Sequence, residues 1–133
     1  MIICKKADDE KTITELKTVM VKHGTEEALC IYGYWENDKC VGGSYLQKEF
    51  PNELVMEFYT SNPMIVKAIG ESYVEMLKYK SRLTATIQST NRKSLKMVKL
   101  LGFYKLYEEN GSVKVEFAPE RWRYKKRWNL FNK

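Results

Sequence analysis

The chain has 133 residues, of which 44% are hydrophobic, 30% charged and 13% aromatic, with a formal net charge of +6. That length suits a single domain with its own core, and the composition excludes an extensively disordered chain. No apolar run approaches the roughly 20 residues that a membrane span needs, and the opening Met-Ile-Ile-Cys-Lys-Lys turns charged too soon for a signal peptide.

The charge is uneven. Residues 119–133 hold six Lys/Arg and one Glu, so the remainder is close to neutral. Cys4, Cys30 and Cys40 are odd in number, lack the C-x-x-C spacing of metal or redox sites and fall in strand-like runs, where a small buried thiol is expected. A reduced, cytoplasmic setting without a metal site is the expectation. There are no repeats and no Pro/Gly-rich linkers, so residues 1–118 are read as one domain, with 119–133 as a basic, aromatic segment packed on it.

Along the chain, Ile2 to Lys5 reads as a first strand. Thr12-Ile-Thr-Glu15 has the form of a capping box and predicts a helix start, with Ile13, Leu16 and Met20 on one face and Gly24 as its stop. His23, the only histidine, falls beside that stop, where it would meet the last carbonyls. Ala28 to Glu36 and Lys39 to Glu49 are β-rich and flank Asn37-Asp38, which predicts a hairpin. Gly42 and Gly43 suggest a bulge or a close backbone approach. Leu54 to Thr60 is a further strand.

Asn62-Pro63 predicts the next helix, with Asn62 as cap and Pro63 in the first turn. Ile65, Ile69, Tyr73, Met76 and Leu77 follow at helical steps as its buried face. Leu83 to Gln88 reads as a strand, Asn91 to Leu101 as a helix stopped by Gly102, and 103–108 with 113–117 as a hairpin across Asn110-Gly111. The order β-α-β-β-β-α-β-α-β-β implies an α/β (α+β) domain: a mixed, mostly antiparallel sheet flanked by helices.

That order, together with Asn91-Arg-Lys-Ser94-Leu-Lys-Met-Val-Lys-Leu-Leu101-Gly102-Phe103, resembles the GNAT superfamily of N-acetyltransferases. The segment is similar to the family's N-x-x-[SA]-x-x-x-[Y]-x-x-h-G-F helix. The family normally has two helices after its first strand, and here there is room for one. The resemblance covers about residues 1–118 and implies transfer of an acyl group from acetyl-CoA to an amine.

On this resemblance Asn91 caps the helix and bonds the pantetheine arm, with Ser94 beside it on the coenzyme. Arg92 and Lys93 lie near the coenzyme's phosphorylated end; cations in a first helical turn oppose the macrodipole unless an anion sits nearby. The family's phosphate loop, [QR]-x-x-G-x-[GA], is matched only by Ile65-Val-Lys-Ala-Ile-Gly70. Gly70 takes the last glycine position, Lys67 supplies a compensating charge, and Ile65 and Ala68 replace the other two.

The family's proton-donating tyrosine aligns with Val98, which cannot donate; Tyr104 and Tyr107 follow without a spacing that assigns them the role. The candidate base is Glu57, a carboxylate interrupting the apolar run Leu54-Val-Met-Glu-Phe-Tyr, with Glu53 as a weaker alternative.

These departures sustain a second reading: a catalytically inactive GNAT-like domain, of the short kind found in tailed phages, that binds a protein or nucleic acid. Arg121, Arg123, Lys125, Lys126 and Arg127 of its tail would contact phosphates, and Trp122, Tyr124 and Trp128 would stack on bases. The same residues also suit a homodimer contact or an acidic partner.

Overall fold

The computed structural model describes residues 1–20, 28–47 and 53–122. His23, Gly24 and residues 123–133 of the basic segment lie outside the described residues, as do 48–52.

Two antiparallel sheets form the frame. The first has the order β1 (Ile2–Lys6), β2 (Ala28–Glu36), β3 (Lys39–Gln47), β4 (Leu54–Phe58). The second has the order β5 (Thr84–Gln88), β7 (Ser112–Phe117), β6 (Phe103–Glu109). Helix α1 (Glu10–Val19) follows β1, α2 (Ile65–Met76) follows β4, and α3 (Arg92–Leu100) follows β5. The element order expected from sequence is the one observed. Among the described residues, no helix is long and apolar enough to cross a membrane.

Local chemistry sets the turns. Asn37 and Asp38 take φ of 50° and 67° between β2 and β3, and Asn110 and Gly111 take 51° and 77° between β6 and β7. Positive φ at both central residues suits the twist of a tight hairpin, which is why Asn, Asp and Gly occupy them.

Tyr34 pairs with Gly42 and Trp35 with Cys40, leaving Val41 as the extra residue of a bulge. Next to it, a Cβ on Gly42 would lie 2.4 Å from the Glu57 carbonyl oxygen, so β3 and β4 approach too closely there for any side chain. Bulge and close approach thus occur together.

Helix starts depart from the sequence reading twice. α1 is capped by Asp9, whose Oδ1 accepts the Thr12 N–H at 2.6 Å, and Thr12 falls inside the helix. Asp9 offers a carboxylate three residues before the expected box, and a charged acceptor in the first turn also suits the helix dipole.

α2 begins at Ile65, two residues later than Pro63 would suggest. Asn62 instead forms a local turn, its Oδ1 accepting the Met64 N–H at 3.0 Å while its Nδ2 donates to Glu36 Oε2 at 2.7 Å. α3 starts as expected: Asn91 Oδ1 accepts the Ser94 N–H at 3.1 Å. It closes on Gly102 at φ 93°.

α2 covers one face of the first sheet and α1 the other. Leu16 and Met20 of α1 bury against Trp35 and Tyr45, and Trp35 Nε1 donates to Glu15 Oε1 at 2.9 Å. The larger core joins α2 to both sheets. Within it Tyr73 meets Phe103 and Phe117 edge-on, each with ring centroids 5.6 Å apart.

The chain returns to α2 through Trp122, which follows a short 3₁₀ turn at Pro119–Arg121 and is buried. Its indole fills the space beside Gly70: a Cβ there would lie 2.1 Å from Trp122 Cε2 and Nε1. Gly70→Ala is therefore expected to destabilise the fold by about 1–2 kcal/mol, since overpacking costs more than the roughly 1 kcal/mol that alanine returns in helix propensity. In a Trp122→Ala background the same change should turn neutral or stabilising. Urea denaturation of the four proteins reads the sign reversal, and equal losses in both backgrounds would refute the contact.

Candidate functional site

Strands β4 and β5 run parallel and meet at one place, a bridge between Glu53 and Thr84. There the Glu53 carboxylate pairs with the Lys114 ammonium. Burial draws the Lys114 pKa below its ordinary value. Beyond this bridge each strand is hydrogen-bonded only to its own sheet, β4 to β3 and β5 to β7. The strands diverge, and α2 and α3 both set out from the open end of the V.

The V holds a cleft in two lobes. The inner lobe, about 420 Å³, is lined by Met56, Tyr73, Ala85, Ile87, Val98 and Phe103 among others. The outer lobe, about 550 Å³, is lined by Glu57, Tyr59, Thr60, Lys93 and Met97. Met56, Asn91 and Ser94 line both, so the lobes adjoin at these residues.

Of the candidate base and coenzyme residues singled out by sequence, the cleft brings together Glu53 on the inner lobe, Glu57 and Lys93 on the outer lobe, and Asn91 and Ser94 on both. Glu57 is 8% exposed, and its Oε2 accepts from the Tyr59 hydroxyl at 3.3 Å. Tyr45, on the neighbouring strand, has its pKa raised by burial and by the Glu57 charge.

Arg92 is exposed on the first turn of α3 and Glu53 sits at the closed end of the V. Lys67, in the first turn of α2, pairs with Glu71. Gly70 lies inside α2 with the Trp122 indole packed against it. Val98 is buried on the cleft wall and offers no proton, while Tyr104 and Tyr107 lie on β6 and line neither lobe.

Met56 and Tyr73 were not read as site residues. Their spacing resembles ordinary strand and helix core, and only the parting of β4 and β5 brings them to the cleft.

Whether these residues suit coenzyme A divides along its length. The cleft fits a narrow arm ending in an acyl thioester: it is half apolar, opens between two strand edges and carries Asn91 and Ser94 at its waist. The diphosphate end fits differently. In the family it is held by free backbone N–H groups at the start of the helix after β4; here three of the N–H groups at that start have partners within the turn. Met64 N–H goes to Asn62 Oδ1, Ile65 N–H to the Asn62 carbonyl at 3.1 Å, and Val66 N–H to the Pro63 carbonyl at 3.3 Å.

Glu36 adds a carboxylate to the same loop, accepting from Thr60 Oγ1 at 2.7 Å and from Asn62. The candidate phosphate ligands from the sequence reading are thus Arg92 and Lys93 at α3 and Lys67 on α2, the last paired with Glu71.

No protein-family model matches the chain, and no curated protein matches it in sequence. Solved structures do. An acetyltransferase of Bacillus subtilis in complex with CoA aligns with a TM-score of 0.65 at 14% identity, over 88% of this chain and 98% of that one. The ribosomal-protein-S18-alanine N-acetyltransferase of Escherichia coli aligns at 0.60 and 12%, over 88% and 93%. Campylobacter jejuni N-acetyltransferase PseH aligns at 0.56 and 13%, over 87% and 96%. The chain has the GNAT fold.

The Glu36 bonds make the loop before α2 sensitive to acid. Its neighbours Asn62 and Thr60 hold the carboxyl below the ordinary value of 4.5. A lowered folded-state pKa means stability that is present above that value and is lost as pH falls through it. Glu36→Gln should therefore lower the melting temperature near neutrality, with the gap to wild type narrowing as the pH falls below 4.5. A gap unchanged across that range in thermal melts would show that the carboxylate charge contributes nothing.

Proposed function

We propose that this protein is an acyltransferase that moves an acyl group, acetyl in the simplest case, from a coenzyme A thioester to an amine. The observation that carries this reading is the meeting of Glu57, Asn91, Lys93 and Ser94 on one cleft where β4 and β5 part. The fold likeness supports it, since the Bacillus structure holds CoA and a second PseH structure holds acetyl coenzyme A. The acceptor is an amine of a small molecule or a protein.

In this reading the thioester supplies an activated carbonyl, and the protein supplies position and a base. Asn91 and Ser94 orient the arm at the junction of the lobes. Arg92 and Lys93 offset phosphate charge at the start of α3. Glu57, one residue from the open end of β4 and largely buried, takes the proton that the amine sheds as it attacks. Holding amine and carbonyl side by side contributes much of the rate, which lets such a site work without a tyrosine at Val98.

Acetyl-CoA is expected to raise the melting temperature; a ligand at a hundred times its Kd stabilises by about 2.7 kcal/mol. Reversing Arg92 and Lys93 together to Glu should weaken its binding about ten- to a hundredfold, well beyond the corresponding Gln pair, while making the ligand-free helix slightly firmer. Calorimetric titration of the variants tests this, and unchanged affinity would remove the coenzyme from α3.

Glu57→Gln should slow thiol release from acetyl-CoA by about 10²–10⁴-fold across a panel of primary amines, with coenzyme affinity kept. Full turnover in that variant would exclude Glu57 as the base.

A further inference from the structure

Tyr73 reaches the inner lobe from α2, a lobe that the buried Val98 also lines. Its ring is held edge-on between Phe103 and Phe117, at interplanar angles of 80° and 72°, so the hydroxyl has a fixed direction. That hydroxyl donates to Met56 Sδ at 3.4 Å. Met56 lines both lobes, which puts this residue where they adjoin. The cleft thus already contains a phenol aimed at a divalent sulfur, at the waist marked by Asn91 and Ser94.

Behind Tyr73 runs a buried chain of hydroxyls. The Ser44 hydroxyl lies near Tyr73 on the side of a donor, Tyr34 Oη lies 2.6 Å from Ser44 Oγ, and Ser72 Oγ lies 2.7 Å from Tyr34 Oη. Each hydroxyl has one proton to give, so the chain must run in one sense at a time. With Ser72 donating to the Ile69 carbonyl, which lies 2.6 Å away, the protons run from Tyr73 towards Ser72. With Ser72 donating to Tyr34 instead, they run through Ser44 to Tyr73, and the Tyr73 proton is free for sulfur. An acceptor that gains negative charge in the cleft favours the second sense, and aligned hydroxyls polarise one another in that direction.

We propose that Tyr73 is the hydrogen-bond donor to the coenzyme's sulfur, with Met56 Sδ marking the place that sulfur takes. The proposal rests on the acyl-transfer reading. As the amine nitrogen bonds to the carbonyl carbon, Glu57 takes the nitrogen's proton. As the carbon–sulfur bond breaks and its electron pair stays on sulfur, Tyr73 steadies that pair. Burial raises the phenol's pKa well above its ordinary value, so Tyr73 keeps its proton and acts as a neutral donor. The thiolate leaves with its charge and Glu57 returns its proton to water, which closes the balance. Met56, unbranched and flexible, can swing aside without strain.

Coenzyme A itself is the probe, because its free thiol reports the donor without an acceptor amine. Bound to wild type, the thiol should titrate about one to two pH units lower than when bound to Tyr73→Phe, the scale of one hydrogen bond to a charged acceptor. The ultraviolet absorbance of the thiolate gives the titration.

Tyr73→Phe keeps the ring contacts, and Ser44→Ala keeps the donor while removing its support, so the second variant should shift the titration less than the first. Coenzyme binding by both proteins with equal titrations would overturn the role of Tyr73 and leave acyl transfer standing. A larger shift in Ser44→Ala would overturn it in favour of Ser44. Failure of wild type to bind coenzyme A at all would overturn both readings.

Discussion

The single backbone bridge between Glu53 and Thr84 governs the rest of the structure. Had β4 and β5 paired along their length, the two sheets would be one and no cleft would exist. Past the bridge, each strand is the edge of its own sheet. Its inward backbone groups face the gap and need partners there from water or a ligand. An arm bearing amide groups answers that need as a strand would, which is the physical reason a split sheet makes a site for a pantetheine-like chain. The Glu53–Lys114 pair fixes where the split begins, because Lys114 belongs to β7 and holds the second sheet to the start of β4.

A split of this kind has to be held at its angle, and α2 does so. It lies over β1, β2 and β3 of the first sheet while Tyr73 on the same helix packs against Phe103 and Phe117 of the second. Trp122 then returns from the end of β7 to the flank of α2 at Gly70. The helix is clasped by both sheets and by the chain that follows them. Tyr73 thereby has two roles from one position: its ring couples the sheets, and its hydroxyl points into the gap the sheets leave.

What could be read from the sequence was what depends on near neighbours. Asn110-Gly111, Asn37-Asp38, the Asn91 cap and the Gly102 stop each act over four residues or fewer, and each lies where the residue chemistry placed it. α1 was misplaced because Asp9 and Thr12 both offer a cap and the sequence does not show which acceptor wins. α2 was misplaced because the Asn62 amide is held by Glu36, 26 residues earlier. The packing of Gly70 was not legible, since its partner Trp122 comes 52 positions later. Of the candidate site, the α3 residues and Glu57 were legible through the family resemblance. Met56 and Tyr73 were not, since an apolar strand residue and a helix-face tyrosine look like core until the strands are seen to part.

The two helix starts at the open end differ in charge. The loop before α2 carries Glu36, one hydrogen bond from Thr60 on the outer lobe, and its first N–H groups are spent on Asn62 and Pro63. The start of α3 carries Arg92 and Lys93, and Lys93 lines that same lobe. Charges in water are screened over roughly 8 Å, so each affects only a ligand group close to it. Under the proposed reading, a diphosphate is drawn to α3 and turned away from the loop before α2, where the family would place it. An ammonium approaching from solvent is drawn the other way, towards Glu36 and Glu57. Under that reading the asymmetry sorts the two substrates to opposite sides of the cleft, with the reacting atoms meeting between them.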